Sequence, residues 1–201
     1  MEIYVNFILA ILIGYALGSI PFGLLLTKIA GGPDIRSIGS GNIGATNVLR
    51  TGNKLLAATT LILDILKGTV AVLIVAHFIP GTEPLAAAAA FFGHLFPIWL
   101  KFEGGKGVAT YAGILFGLFW NDGMVGGYIF AICWIGTLVI SRYSSLAGII
   151  AAISAPITAA IVGKSELVPL LIACTLILIW KHWPNILRLL SGNEPKVGKS
   201  K

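Results

Sequence analysis

Long apolar stretches separated by short polar segments dominate this sequence, and they restrict it to folds that sit in a membrane. Of its 201 residues, 57% are hydrophobic and 11% are charged, and the mean hydropathy is +0.93. A water-soluble domain of this size needs a far more charged surface. We therefore predict an integral membrane protein that forms one compact domain over residues 1–201.

The apolar stretches also predict the number of helices. A helix that crosses the hydrocarbon core needs about 20 apolar residues. Two stretches, 107–120 and 166–180, fall short of that length, although snorkelling, local thinning or burial by neighbouring helices could compensate. We predict an all-α bundle of seven transmembrane helices; if the two short segments lie in the interface instead, five spans remain. The seven stretches are 3–27, 55–79, 84–100, 107–120, 123–140, 145–163 and 166–180.

The basic residues predict which side of the membrane each loop faces. If the chain starts outside and crosses seven times, twelve of its 14 lysines and arginines fall inside, while Lys164 lies outside and Lys67 lies within the second span. Cytoplasmic loops are enriched in lysine and arginine, so we predict an N-terminus outside and a cytoplasmic C-terminus. The predicted inner residues are Lys28, Arg36, Arg50, Lys54, Lys101, Lys106, Arg142, Lys181, Arg188, Lys196, Lys199 and Lys201.

The longest predicted inner loop, about residues 28–54, carries a glycine-rich run from Gly39 to Asn47. Glycine lets a backbone turn tightly and bring its N–H groups close to an anion. Polar side chains add neutral hydrogen-bonding groups, and Arg50 adds a bidentate donor. The run predicts an anion site, although an ordinary flexible loop explains it about as well. Its candidate residues are Gly39, Ser40, Gly41, Asn42, Thr46, Asn47 and Arg50.

A second inner segment, Gly104-Gly105-Lys106-Gly107, lies directly before an apolar stretch. Backbone amides and an ammonium group can together bind a phosphate at the start of a helix. The spacing is not that of a Walker A motif and no strand precedes it, so an ATPase is not predicted. A membrane-flanking lysine in a glycine turn is the alternative explanation.

Two further inner segments carry groups suited to proton transfer and anion binding. His182 and Asn185 are three residues apart and share a helix face, unless Pro184 breaks the helix. Histidine can accept a proton or donate to a phosphate, and an interfacial aromatic and basic anchor is the alternative. After the fifth stretch, Arg142 could reach an anion or simply a lipid headgroup, and Ser145 belongs to the same inner segment.

Asp64, Lys67 and His94 lie within predicted spans. Asp64 and Lys67 are three residues apart in the second stretch. Intramembrane charges are costly and often functional, but a structural ion pair at this spacing is an equally good explanation. His94 is better explained as a buried structural histidine than as a functional one.

Together these motifs resemble the bacterial acyl-phosphate:glycerol-3-phosphate acyltransferase family, known as PlsY. The matching stretches follow one another along the whole chain and are highly specific as a set. The resemblance implies seven transmembrane helices and a cytoplasm-facing active site in a bacterial inner membrane. The stretches are 18–23, 39–47, 63–68, 93–97, 104–110, 142–145 and 182–192.

The resemblance implies a reaction. A fatty acyl group passes from acyl phosphate to the 1-hydroxyl of glycerol 3-phosphate and gives lysophosphatidic acid and phosphate, the first step of bacterial phospholipid synthesis. Functional coupling to an enzyme that produces acyl phosphate is a further expectation. By resemblance, the substrate pocket is lined by residues at the positions of Ser40, Arg50, Lys106, Ser145, His182 and Asn185.

The chemistry of an acyl phosphate suggests roles for these residues. The donor is already activated, so the enzyme needs no covalent intermediate. Lys106 and the glycine amides around it, at Gly104, Gly105 and Gly107, are expected to bind one phosphate, and Arg50 and Ser40 to hold or orient the other. His182 is the candidate base and Asn185 positions the hydroxyl, although the substrate's own phosphate could take the proton. The expected catalytic residues are Lys106, His182, Asn185 and Ser40.

Other classes of protein fit the sequence less well. A phosphate-ester transporter would place polar residues on both sides of the membrane, whereas most of them here fall on one side. The net charge of +6 does not indicate nucleic-acid binding, because the charges flank apolar runs and form no continuous basic surface. Neither a cofactor nor a metal is expected, since the carboxylates and histidines are scattered.

Overall fold

The computed structural model describes residues 1–198, and in that part of the chain it contains helices and no strand. Each of the seven predicted apolar stretches contains a helix. Lys199 and Lys201, predicted to lie inside the cell, fall outside the described residues. The α-helices are α1 (Glu2–Gly18), α2 (Phe22–Ile29), α3 (Ala45–Val48), α4 (Lys54–Phe78), α5 (Glu83–Leu95), α6 (Val108–Leu118), α7 (Val125–Ser141), α8 (Ser144–Ile161), α9 (Val168–Lys181) and α10 (Trp183–Leu190).

Several helices begin or end close to a proline. Pro21 separates α1 from α2, because proline lacks an N–H and disfavours the helical conformation of the residue before it. For the same reason Phe96, which precedes Pro97, adopts φ −137° and ends α5, so the predicted stretch 84–100 is only partly α-helical. α9 and α10 meet at His182 with a bend of 59°. These breaks leave backbone groups and side chains at helix ends, where a ligand can reach them.

Helix length bears on the number of membrane crossings. Within the described residues, four helical stretches are long and apolar enough to cross a membrane, and the bent pair α9–α10 would make a fifth. Helices α6 and α7 are apolar but shorter. The protein is therefore a multi-pass helical membrane protein, while seven crossings and the orientation of the termini stay predictions. The four stretches are Glu2–Ile29, Lys54–Phe78, Glu83–Leu100 and Ser144–Ile161.

Small residues let the helices approach each other closely. A Cβ atom on Gly18 would overlap the backbone of Ala90 where α1 packs on α5. A Cβ atom on Gly113 would overlap the backbone of Ile65 where α6 packs on α4. Lipid tails are as apolar as leucine, so close van der Waals contact of this kind is what holds helices together in a membrane.

A buried tyrosine links three helices in the core. The hydroxyl of Tyr111 on α6 donates to the Leu171 carbonyl of α9 over 2.8 Å and lies 3.0 Å from Thr175 Oγ1. Thr175 in turn donates to the Ala152 carbonyl of α8 over 2.8 Å. Every polar group in a dry bundle needs such a partner, so these bonds fix α6, α8 and α9 relative to one another.

Candidate active site

Two loops and two helix junctions converge on a cavity of about 250 Å³. The loops are residues 30–53 and 101–107, and the junctions are those between α7 and α8 and between α9 and α10. Most residues predicted from the sequence as site residues line this cavity. They are Ser40, Asn42, Thr46, Asn47, Arg50, Lys106, Gly107, Ser145, His182 and Asn185.

Asn47 organises the first loop. Its buried side chain donates from Nδ2 to the Ile35 carbonyl over 2.7 Å. Its Oδ1 accepts from the Ser40 amide and from Arg50 Nη1, each over 3.2 Å. A Cβ atom on Gly39, where φ is +55°, would overlap Arg50, so this position requires glycine. The loop therefore holds Ser40 and Arg50 beside each other at the cavity.

The second loop is held against the end of α5. The Gly104 N–H donates to the Leu95 carbonyl over 3.2 Å, and the Gly105 N–H donates to the His94 carbonyl over 3.0 Å. A Cβ atom on Gly105 would overlap His94 Nε2. These two amides were expected to bind phosphate, but the bonds to α5 already use them. The glycines instead allow the close approach that positions Lys106.

The amides that remain near Lys106 belong to the start of α6. Gly107, with φ +85°, is the residue before this helix, and no side chain caps the helix there. The first N–H groups of an α-helix have no partner within the helix, and they carry partial positive charge. Val108 and Ala109 of this first turn line the cavity. The start of α6 is therefore suited to an anion, beside the Lys106 ammonium group.

A chain of polar contacts connects the second loop to the C-terminal segment. Lys106 Nζ donates to Asn185 Oδ1, and Asn185 Nδ2 donates to Glu194 Oε1 over 2.7 Å. Glu194 also accepts from Ser145 Oγ over 2.6 Å and from Arg188 Nε over 2.8 Å. One buried carboxylate thus fixes side chains from the α7–α8 junction and from α10.

Sequence reasoning missed Glu194. The one signal available was an acidic residue in a C-terminal segment predicted to be basic and cytoplasmic. Burial disfavours ionisation of Glu194, but hydrogen bonds from Ser145, Asn185 and Arg188 outweigh this effect and lower its pKa. Burial lowers the pKa of Lys106 to about 8, which the negative charge of Glu194 partly counteracts. Lys106 is thus mostly charged at neutral pH.

The hydrogen bonding of His182 identifies its protonated nitrogen. His182 is buried, and its Nδ1 lies 2.8 Å from the Leu178 carbonyl oxygen. A carbonyl can only accept, so Nδ1 carries the proton and Nε2 is an acceptor. Pro184 lies in the first turn of α10 and does not separate His182 from Asn185 in space, since both line the cavity. His182 is therefore arranged to accept a proton at Nε2.

Five predicted site residues do not line the cavity: Gly39, Gly41, Gly104, Gly105 and Arg142. The glycines act through the loop conformations described above. Arg142 ends α7 and pairs with the C-terminal segment, where its Nη2 donates to the Val197 carbonyl over 3.1 Å and its own carbonyl accepts from the Val197 N–H over 2.8 Å. Its contact is with the protein backbone, whereas an anion or a lipid headgroup was expected.

Asp64, Lys67 and His94 form one buried cluster. Lys67 Nζ lies 2.6 Å from Asp64 Oδ1, which is the ion pair that was one of the two explanations for their spacing, and Asp64 and His94 both line the cavity. Within residues 1–198, no three histidine, cysteine, aspartate or glutamate side chains are grouped so as to hold a metal ion.

The rest of the cavity wall is apolar. Helices α4, α6 and α7 contribute most of its apolar side chains. A cavity lined by basic, polar and hydrocarbon side chains suits a molecule with an anionic part and a hydrocarbon part. The apolar residues are Leu61, Ile65, Ala112, Phe130, Ala131, Trp134 and Ile135.

Comparison with known proteins gives consistent matches over almost the whole chain. Residues 8–192 match the family model described as glycerol-3-phosphate acyltransferase. The chain is 57% identical to a glycerol-3-phosphate acyltransferase of Rhodopseudomonas palustris (strain HaA2), over 97% of this chain and 98% of the relative. It is 56% identical to the enzyme of the same name from Mesorhizobium japonicum, over 95% of this chain and 96% of the relative.

Two solved structures share the fold. One is the crystal structure of PlsY (YgiH), described as an integral membrane glycerol 3-phosphate acyltransferase, in its glycerol 3-phosphate form; it is 34% identical, covers 96% of both chains and has a TM-score of 0.88. The other is the lysophosphatidic acid form of PlsY, which is 34% identical, covers 96% of this chain and 95% of that chain, and has a TM-score of 0.86.

Proposed function

Since the chain belongs to the glycerol-3-phosphate acyltransferase family, we propose that it transfers a fatty acyl group from acyl phosphate to the 1-hydroxyl of glycerol 3-phosphate. The products are lysophosphatidic acid and inorganic phosphate. The observation that carries the proposal is a single cavity with a basic polar part and an apolar part. Family membership disfavours the transporter alternative.

The polar part of the cavity suits two phosphate groups. Lys106 and the first turn of α6 hold one phosphate, and Arg50 with Ser40 holds or orients the other. Charge-assisted hydrogen bonds of this kind are the strong ones, and a guanidinium group can bind phosphate through two N–H groups. The apolar wall between α4, α6 and α7 takes the acyl chain. The reacting carbonyl then lies between the two parts.

The acyl transfer itself needs alignment and a proton acceptor. The 1-hydroxyl oxygen of glycerol 3-phosphate attacks the carbonyl carbon of the acyl phosphate, and the bond from that carbon to the phosphate oxygen breaks. His182 Nε2 accepts the hydroxyl proton, and Asn185, held by Glu194, positions the hydroxyl. Lys106 stabilises the charge on the departing phosphate. In this mechanism, most of the rate enhancement comes from the alignment of the two substrates and from charges that the protein holds in place.

The location of the reaction follows from the predicted topology. Seven crossings with the N-terminus outside place the cavity at the cytoplasmic face of a bacterial inner membrane. Acyl phosphate reaches it with its chain in the bilayer, and glycerol 3-phosphate reaches it from the cytoplasm. An enzyme that makes acyl phosphate could pass its product to this one. No nucleic acid takes part.

Release of phosphate by the purified protein tests the proposal. Palmitoyl phosphate is supplied with and without glycerol 3-phosphate, in detergent or in a lipidic phase, and palmitoyl-CoA serves as the control donor. We expect release that depends on glycerol 3-phosphate and yields lysophosphatidic acid. Turnover with palmitoyl-CoA alone would overturn the donor but keep the acyltransferase, and no turnover with either donor from a folded sample would contradict the enzymatic function.

A further inference from the structure

Lys67 is fully occupied by groups of the protein. Its Nζ lies 2.6 Å from Asp64 Oδ1, 2.8 Å from the Ile20 carbonyl oxygen and 2.9 Å from His94 Nδ1. The Ile20 carbonyl lies at the break between α1 and α2, where it also accepts from the Phe22 N–H over 3.1 Å. A lysine ammonium group has three N–H donors, and here three acceptors surround it. Lys67 therefore has no donor left for a substrate phosphate.

Asp64, in contrast, has acceptor capacity left over. It is 2% exposed and lines the cavity. Its Oδ1 takes the 2.6 Å contact with Lys67 Nζ, and within residues 1–198 the protein gives this buried oxygen no further hydrogen bond. An ionised carboxylate has about four acceptor positions and no donor. A buried acceptor with unused positions beside a cavity indicates a donor on the molecule that fills it.

The chemistry of the substrates narrows down that donor. This step rests on the proposed function. Ionised phosphate groups and hydrocarbon chains offer a carboxylate no hydrogen-bond donor, whereas glycerol 3-phosphate carries hydroxyl groups on C1 and C2. The C1 hydroxyl must face the acyl carbonyl and His182, which belongs to the α9–α10 junction. Asp64 belongs to α4, so the C2 hydroxyl is the donor left for it.

We propose that Asp64 accepts a hydrogen bond from the C2 hydroxyl of glycerol 3-phosphate and is thereby a specificity-determining residue. Lys67 keeps the carboxylate charged and holds it in place, since a buried carboxylate without a partner is strongly disfavoured. His94 Nδ1 is the third acceptor of the Lys67 ammonium group, and the His94 ring packs against Gly105.

A substrate analogue tests the proposal without any mutation. The compound 3-hydroxypropyl phosphate keeps the primary hydroxyl and the phosphate of glycerol 3-phosphate and lacks the C2 hydroxyl. For the wild-type protein with palmitoyl phosphate, we expect kcat/KM for the analogue to be about 10- to 150-fold lower, the range for a hydrogen bond to a charged group. Equal turnover of the two acceptors would overturn the proposal and leave the proposed function intact. No turnover of glycerol 3-phosphate would instead refute the proposed function.

Variants then assign the discrimination to Asp64. Asp64→Asn should reduce kcat/KM for glycerol 3-phosphate about tenfold and leave the analogue almost unchanged, because the charged acceptor is lost. If the unpaired Lys67 prevents folding, Asp64→Asn combined with Lys67→Met removes both charges. This double variant should also have a lower ratio of kcat/KM for glycerol 3-phosphate to kcat/KM for the analogue than the wild-type protein. An equal loss for both acceptors in a folded variant would overturn the proposal.

The matched control is Asp122→Asn. It makes the same chemical change and breaks another lysine ion pair, since Lys164 Nζ lies 2.9 Å from Asp122 Oδ2, but it does so away from this cavity. The ratio of kcat/KM for the two acceptors should stay at the wild-type value in this variant. A ratio that falls as far as in Asp64→Asn would contradict the assignment to Asp64.

Discussion

The role of Lys106 is the prediction that the site geometry defines most sharply. Lys106 is half-buried, lines the cavity and donates from its ammonium group to Asn185 Oδ1. Replacement by methionine keeps the length of the side chain and removes the charge. The variant loses a phosphate donor that acts mainly in the transition state, for which a loss of about 10²–10³-fold in kcat is typical. It also leaves Asn185 Oδ1 without its donor, which costs about 1–3 kcal/mol of stability.

The assay is phosphate release from palmitoyl phosphate in the presence of glycerol 3-phosphate, together with a thermal unfolding measurement in detergent. Lys101→Met is the matched control, because Lys101 lies in the same loop, is exposed and does not line the cavity. It should retain wild-type activity. A folded Lys106→Met protein whose kcat/KM falls less than about tenfold, the effect of one ordinary hydrogen bond, would refute the assigned role.

Three further predictions follow from the same geometry. Because the pKa of Lys106 is lowered to about 8, kcat/KM for glycerol 3-phosphate should fall as the pH rises through that value and the ammonium group loses its proton; a fall that persists in Lys106→Met would contradict this origin. His182→Ala should reduce kcat about 10²–10⁴-fold if Nε2 is the base, whereas a loss of a few-fold would assign the proton to the substrate phosphate. Gly105→Ala should displace Lys106 and reduce activity, because the new Cβ overlaps His94. Gly136→Ala is the control and should keep wild-type activity, because nothing lies within 4 Å of its new Cβ. Equal activity of the two glycine variants would contradict the packing argument.

Patterns in the sequence were sufficient to locate the helices. Apolar stretches separate the polar segments, and each stretch contains a helix as predicted. The charge pattern predicted only that the polar segments share one side of the membrane. The resemblance to the PlsY family then implied that Ser40, Lys106 and His182 line one pocket, and the structure brings all three to one cavity. Helix boundaries were less accurate where proline interrupts an apolar run, as at Pro97.

Long-range contacts were beyond what the patterns could predict. Glu194 completes the site through Ser145, which is 49 residues away, and no local spacing connects the two. Glycine-rich motifs such as the one at Gly104 and Gly105 serve either anion binding or close packing. Only the hydrogen bonds from these two amides to α5 show that close packing applies here. The ion pair of Asp64 with Lys67 was predictable from its spacing, but its position beside the cavity was not.

The most direct test of the account is a crystal structure of this protein, grown in a lipidic phase with glycerol 3-phosphate. We predict that the phosphate lies within hydrogen-bond distance of a basic residue of the cavity, Lys106 or Arg50. The C1 hydroxyl should face His182 and the C2 hydroxyl should face Asp64. Glycerol 3-phosphate bound outside this cavity, or bound in it with both hydroxyls turned away from His182, would contradict the account.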